Sequence, residues 1–183
     1  MFKTHPFHPA IVHFPIAFLT ATHAIDILHY LTAVLNLPIL TTYLSPLLPP
    51  LLRSSRLLHT LGLATAVPAV LSGIVQASDQ AAKPGNLYES DGKTIKRKFF
   101  VMATHAALND LLIIASAVSW WGRFKTDGFF GETGAQGVPG GKDYVISGLV
   151  VPVLFYTASL GGDLVYRYGM GFSVAKANER KTK

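Results

Sequence analysis

Seven histidines stand in a chain that has no cysteine. Most of them fall inside or beside long apolar stretches. Neutral imidazoles in such surroundings serve as ligands to haem iron or a transition metal, or as carriers of protons. The opening is the densest case: His5-Pro6-Phe7-His8-Pro9-Ala10-Ile11-Val12-His13-Phe14-Pro15-Ile16-Ala17 leads straight into an apolar segment. His13 there, and His105 in a later segment, are the candidate ligands for a b-type haem or a metal held between helices. Asn109 and Asp163 are placed to hydrogen-bond the other imidazole nitrogens and orient the rings. Arg167 is placed to pair with a propionate at the membrane edge. The plainer alternative is that His13 and His105 satisfy each other or Asn109 in a polar helix contact.

The other ionisable residues carry weaker chemistry. His5 and His8 sit in His-Pro pairs and shape an interfacial turn, with Pro9 suited to the first turn of a helix. His29 and His59 form a looser second pair, a conceivable second haem site without supporting groups. Asp26, three residues from both His23 and His29, suits a proton relay or an internal hydrogen bond. Asp163 and Arg167, four apart, suit an intrahelical ion pair.

Positioning these residues takes four apolar segments, about 11–35, 57–77, 99–121 and 144–166. Each is near the ~20 residues that cross a bilayer as a helix. Only helices satisfy the backbone of isolated spans in lipid, so the fold class is all-α, an integral membrane four-helix bundle. Residues 1–10 form the interfacial N-terminal turn, 11–171 the membrane domain and 172–183 a basic tail. The first helix is polar on two sides and is expected at the centre of the bundle. Residues 36–56, broken by Pro38, Pro46, Pro49 and Pro50, are expected as an interfacial or re-entrant loop, with Arg53 and Arg56 at the membrane edge. The second helix carries Gly62, Ala66, Ala69, Gly73 and Ala77, a small-residue stripe for close helix packing within the bundle or between copies. His105, Asn109, Ser116 and Ser119 share one face of the third, and Trp120-Trp121 before Arg123 reads as an interface anchor. A glycine-rich loop joins the last two helices.

Of the 16 Lys and Arg residues, 11 fall on the side of the termini and the 83–98 connection, against 5 on the other. Basic residues mark the cytoplasmic side, so both termini are expected in the cytoplasm, or in the matrix of an organelle. This arrangement brings His13, His105, Asn109, Asp163 and Arg167 to one membrane side at similar depth. Buried without partners, such groups would cost several kcal/mol each, so they should meet one another, water or a ligand.

Composition agrees with a membrane protein: half the residues are apolar and only 14% are charged, against about 25% in soluble domains. The net charge of +6 reflects topology rather than a nucleic-acid surface, since no basic run is interleaved with aromatics. Without cysteine there are no disulfides, thiolate metal sites, cysteine-ligated clusters or covalent c-type haem. No Ser-His-Asp set, zincin motif or phosphate loop supports hydrolysis.

The His-Pro-rich opening, the second helix ending in Asp79, His105-Ala-Ala-Leu-Asn109, and the close Gly161-Gly162-Asp163-Leu164-Val165-Tyr166-Arg167-Tyr168-Gly169-Met170-Gly171 together resemble the predicted membrane protein family DUF2231. The resemblance covers nearly the whole chain. It implies a four-helix membrane domain, in some members joined to or encoded beside cytochrome c or Rieske-type modules, which would make an electron-transfer protein a partner. The closing motif departs from the usual pattern at Asp163, where Glu is familiar, and at Tyr168, where His is common. Two functions follow as expectations. One is a small membrane redox component with haem b or a metal at His13 and His105. The other is a non-catalytic, cofactor-free membrane protein that is structural or conducts protons or a small solute. The lipid bilayer is a partner in both, and self-association is open.

Overall fold

A computed structural model describes residues 7–128 and 137–170. His5, Pro6, Gly171 and the basic tail lie outside the described residues. The described chain is helical with no strand; one isolated antiparallel bridge, Tyr88 to Ile95, pins the 83–96 connection. The elements are α1 (Phe7–Ile11), α2 (His13–His29) continued by a π-helical turn (Tyr30–Val34), α3 (Pro38–Leu44) with a 3-10 turn (Ser45–Leu47), α4 (Leu48–Ala82), α5 (Arg97–Asp127) and α6 (Gly141–Tyr166). Four of the resulting helical stretches are long and apolar enough to cross a membrane.

The expected broken loop at 36–56 is largely helical. Asn36, in the left-handed region at φ 50°, ends the first span, because that conformation cannot continue a right-handed helix. Pro49 and Pro50 then fall in the first turn of α4, where a missing N–H costs nothing. With 35 residues, α4 is roughly 52 Å long, well beyond the ~30 Å of a hydrocarbon core. Its surplus explains why a segment rich in proline and arginine continues the second span.

Neighbouring helices pack as a ring, α2 against α4 and α6, and α5 against α6 and α4. Small residues set the closest approach: a Cβ on Gly62 would fall 2.6 Å from Leu19 Cδ2, and Ala66 and Ala69 beside it are buried. The stripe on α4 is therefore used inside the bundle, by α1 and α2.

Burial is inverted relative to a water-soluble protein. The largest fully buried side chains are His23, His59, Val150 and then Thr22, Thr32, Thr157, Asp26, Ser55, Ser116, Ser119 and Ser147. Meanwhile Val67, Leu71, Ile74, Val75, Leu111, Ile114, Leu149 and Phe155 are exposed. Surfaces of that kind are stable against lipid tails, and polar groups inside must bond to each other. One apolar cluster, Leu19, Leu112, Val150 and Leu154, fills the middle of the bundle.

Candidate functional site: two polar layers separated by an apolar plug

We call the end where α1 begins and α6 finishes proximal, and the opposite end distal. The apolar cluster divides the interior into a polar layer on each side.

The distal layer is the larger. Asp26 of α2 accepts from Arg123 of α5 in a two-pronged pair, Nη1 to Oδ1 at 3.0 Å and Nη2 to Oδ2. Both groups are buried. Asp143, at the start of α6, lies 3.8 Å from Arg123 Nε, accepts from Ser119 Oγ at 2.8 Å, and accepts from the Gly140 N–H at 2.8 Å. An acidic side chain in the first turn suits a helix N-terminus, so Asp143 serves the helix and the network together. Arg123 Nε has no hydrogen-bond partner although it is buried.

His23 links this ion cluster to the bundle axis. Its Nδ1 lies 2.9 Å from Ser147 Oγ and its Nε2 lies 2.9 Å from Ser116 Oγ. Ser147 Oγ donates to Asp26 Oδ2 at 2.8 Å. A hydroxyl has one proton, so with Ser147 donating to the carboxylate, His23 Nδ1 must donate to Ser147. In the neutral ring Nε2 then accepts from Ser116. The polarity of the chain Ser116, His23, Ser147, Asp26 is thereby fixed. His59 Nε2 donates to the Ser116 carbonyl at 2.9 Å, and its ring meets His23 edge-on with centroids 5.4 Å apart. That contact leaves no space for a cofactor between the two rings. His29 takes a different partner, Tyr144 Oη at 2.9 Å, so His29 and His59 do not form a pair.

A crevice reaches this layer, lined by Arg56, His59, Thr60, Trp120, Arg123 and Phe124, with Gly128 at its rim. Trp120 Nε1 donates to Thr60 Oγ1 at 2.9 Å, and Arg56 donates to the Gly128 carbonyl. Trp120 and Trp121, expected as an aromatic anchor at this end, are each stacked with Phe124. Arg123, read from the sequence as part of that anchor, instead points into the bundle and carries the central ion pair.

The proximal layer is smaller. His105 Nδ1 donates to the Thr157 carbonyl at 2.9 Å. Asn109 Nδ2 donates to the His105 carbonyl at 2.7 Å, and Thr157 Oγ1 donates to Asn109 Oδ1 at 3.2 Å. The structure thus brings His105 and Asn109 together. His13, Asp163 and Arg167 are exposed, and among the described residues no hydrogen bond, ion pair or ring contact joins them to His105. Asp163 and Arg167 share only the backbone bond from Arg167 N–H to the Asp163 carbonyl; the guanidinium lies over the Tyr168 ring at 5.7 Å. His8, read as part of a turn, reaches α4 instead: its Nδ1 donates to the Ala69 carbonyl at 3.0 Å and lies 3.0 Å from Ser72 Oγ. No group of three or more metal-ligating side chains occurs among the described residues.

The profile of a predicted membrane protein family, DUF2231, matches residues 4–174. The chain belongs to that family. No curated protein and no solved structure matches it. As a DUF2231 protein it is an integral, multi-pass membrane protein in contact with the bilayer.

Proposed function

We propose that this DUF2231 protein conducts protons, with the distal layer as its relay. The observation that carries this reading is the hydrogen-bonded chain Ser116, His23, Ser147, Asp26, beside His59 and Arg123, which line a crevice at the distal end. Two carboxylates, Asp26 and Asp143, share one guanidinium, Arg123. With neutral histidines the cluster is one positive charge short of neutrality, and a single proton cancels the deficit. A buried site built this way takes up a proton at lower cost than one already neutral. Leu19, Leu112, Val150 and Leu154 interrupt the path, so they act as its gate. Reconstituted into liposomes with an internal pH dye and valinomycin, the wild type should acidify the lumen under an inward proton gradient. Ser147→Ala and His23→Ala should lose most of that flux. Flux no greater than in protein-free vesicles would contradict the proposal.

A second reading has one residue in its favour. A redox component with haem b or a metal requires an oriented imidazole with a free nitrogen. His105 meets that requirement: Nδ1 is fixed to the Thr157 carbonyl, and among the described residues Nε2 has no hydrogen bond. An electron-transfer protein would be the partner of such a component.

A further inference from the structure

We propose that the protein pairs with a second copy of itself in the membrane, α5 against α5, with the two Asp110 carboxyl groups hydrogen-bonded across the twofold axis. The pairing stands apart from proton conduction and uses none of the residues of the relay.

Asp110 is a carboxyl group on the lipid-facing side of a membrane span. It lies 13 residues after Arg97, where α5 begins, and 11 before Trp121 at the distal end. At 1.5 Å per residue it is roughly 20 Å from the first and 16 Å from the second, close to the middle of the hydrocarbon. Its side chain is exposed, and among the described residues no hydrogen bond or ion pair reaches it. Aspartate is too short to reach either interface from that depth. Ionisable side chains inside a membrane almost always face protein or water, because lipid tails offer them no partner. The other intramembrane aspartate, Asp26, follows that rule and is buried against Arg123. Asp110 therefore needs a partner from outside its own bundle.

The surface around Asp110 is shaped for another helix. Ala103, Ala107, Asp110 and Ile114 are exposed and half-buried Ala117 continues their line, at steps of four, three, four and three residues. That rhythm is the seam of two helices crossing at a shallow angle, and a single polar residue in such a seam fixes its register. Alanine at three of the five positions lets the backbones approach closely. The lipid-facing sides of α4 and α6 differ, being built from large residues such as Leu57, Val67 and Leu71, and Leu149 and Phe155. Of the four spans, α5 is also the least covered by the rest of the chain.

A second copy fits this surface because the surface is its own complement. Copies inserted in one orientation are related by an axis along the membrane normal, so each residue of α5 meets its counterpart at the same depth. Alanine then faces alanine. Asp110 faces Asp110, and a carboxyl group that holds a proton both donates and accepts, so two of them join through a shared proton. A lysine or arginine, which only donates, would not pair with itself in this way. The exposed histidine nearest in depth, His13, is on α2 and lies six residues before Leu19, where Asp110 lies two before Leu112 of the same apolar cluster. It is thus roughly 6 Å nearer the proximal end, which leaves Asp110 itself as the counterpart.

The full chain would be tested in liposomes, serially diluted with lipid. Since it has no cysteine, Ser90→Cys can carry a donor dye on some copies and an acceptor on others. Energy transfer should persist on dilution in the otherwise wild-type chain and in Asp110→Asn, whose amide still donates and accepts. It should fall at least fivefold in Asp110→Leu, with an unchanged melting temperature, since Asp110 bonds to nothing within its own bundle. Oxidation with copper phenanthroline should then link Ala107→Cys into a disulfide dimer and leave Leu149→Cys, on the exposed side of α6, monomeric. Energy transfer that vanishes on dilution of the wild type overturns the proposal. So does a dimer that Asp110→Leu leaves intact, or equal cross-linking of Ala107→Cys and Leu149→Cys.

Discussion

Arg123 is the residue on which the distal layer depends. Removing its guanidinium leaves Asp26 and Asp143 buried and unpaired. Breaking a buried pair in this one-sided way typically costs about 3–5 kcal/mol. Arg123→Met should therefore lower the melting temperature in detergent sharply, and Arg123→Met with Asp26→Leu should recover part of the loss. Equal melting of the single and double variants would contradict the pairing. The sequence disguised Arg123 because Trp120-Trp121-Gly122-Arg123 has the composition of an interface anchor. A signal was present: Asp26, in the middle of an apolar span, needs a cation, and few basic residues lie toward the distal end. A different carboxylate, Asp91 in the exposed 83–96 connection, is tied by the Thr94 hydroxyl and the Thr94 and Lys93 amides. Those donors hold it below the usual carboxylate range. Its folded pKa is depressed, so its contribution to loop order is present above the ordinary Asp range and lost as pH falls through the lowered value. In NMR titration, the Thr94 amide shift should move with a midpoint below that of a free Asp.

On α4, packing is tight at Gly62. Gly62 faces Leu19 so closely that a Cβ would meet it at 2.6 Å, and overpacking of this kind costs about 1–3 kcal/mol. Gly62→Val should lower the melting temperature, whereas Gly85→Asn, in an open turn at φ 66°, should be nearly neutral because Asn tolerates that conformation. Similar losses from both would show that the clash is not what restricts position 62. At this scale the spans were legible because length and apolarity alone decide them. The partner of the small-residue stripe was not, since spacing shows a close approach without saying whose. The helical character of 38–56 was also hidden, because prolines break a helix interior but are tolerated in its first turn.

The whole molecule is a bundle with two polar layers and an apolar plug between them. Ser116 is eleven residues beyond His105 on α5, so the layers are roughly 16 Å apart. The sequence placed His13, His105, Asn109, Asp163 and Arg167 on one side by span order, a one-dimensional argument about depth. Rotation about each helix axis decides which of them face inward, and only His105 and Asn109 meet. His8 enters because α1 folds back onto α4, a tertiary contact that local spacing does not reveal. The absence of cysteine makes orientation testable: Ser90→Cys in the proximal connection should react with an impermeant thiol reagent only from the cytoplasmic or matrix side, and Val138→Cys only from the other. The reverse pattern would invert the topology.

Proton flux through an opened plug tests the relay most directly. Leu112→Ala should raise proton uptake by liposomes above the wild type, and adding His23→Ala to it should abolish the increase. If Leu112→Ala with His23→Ala conducts as well as Leu112→Ala alone, protons pass without the His23 chain, and the account of the distal layer as a relay is wrong.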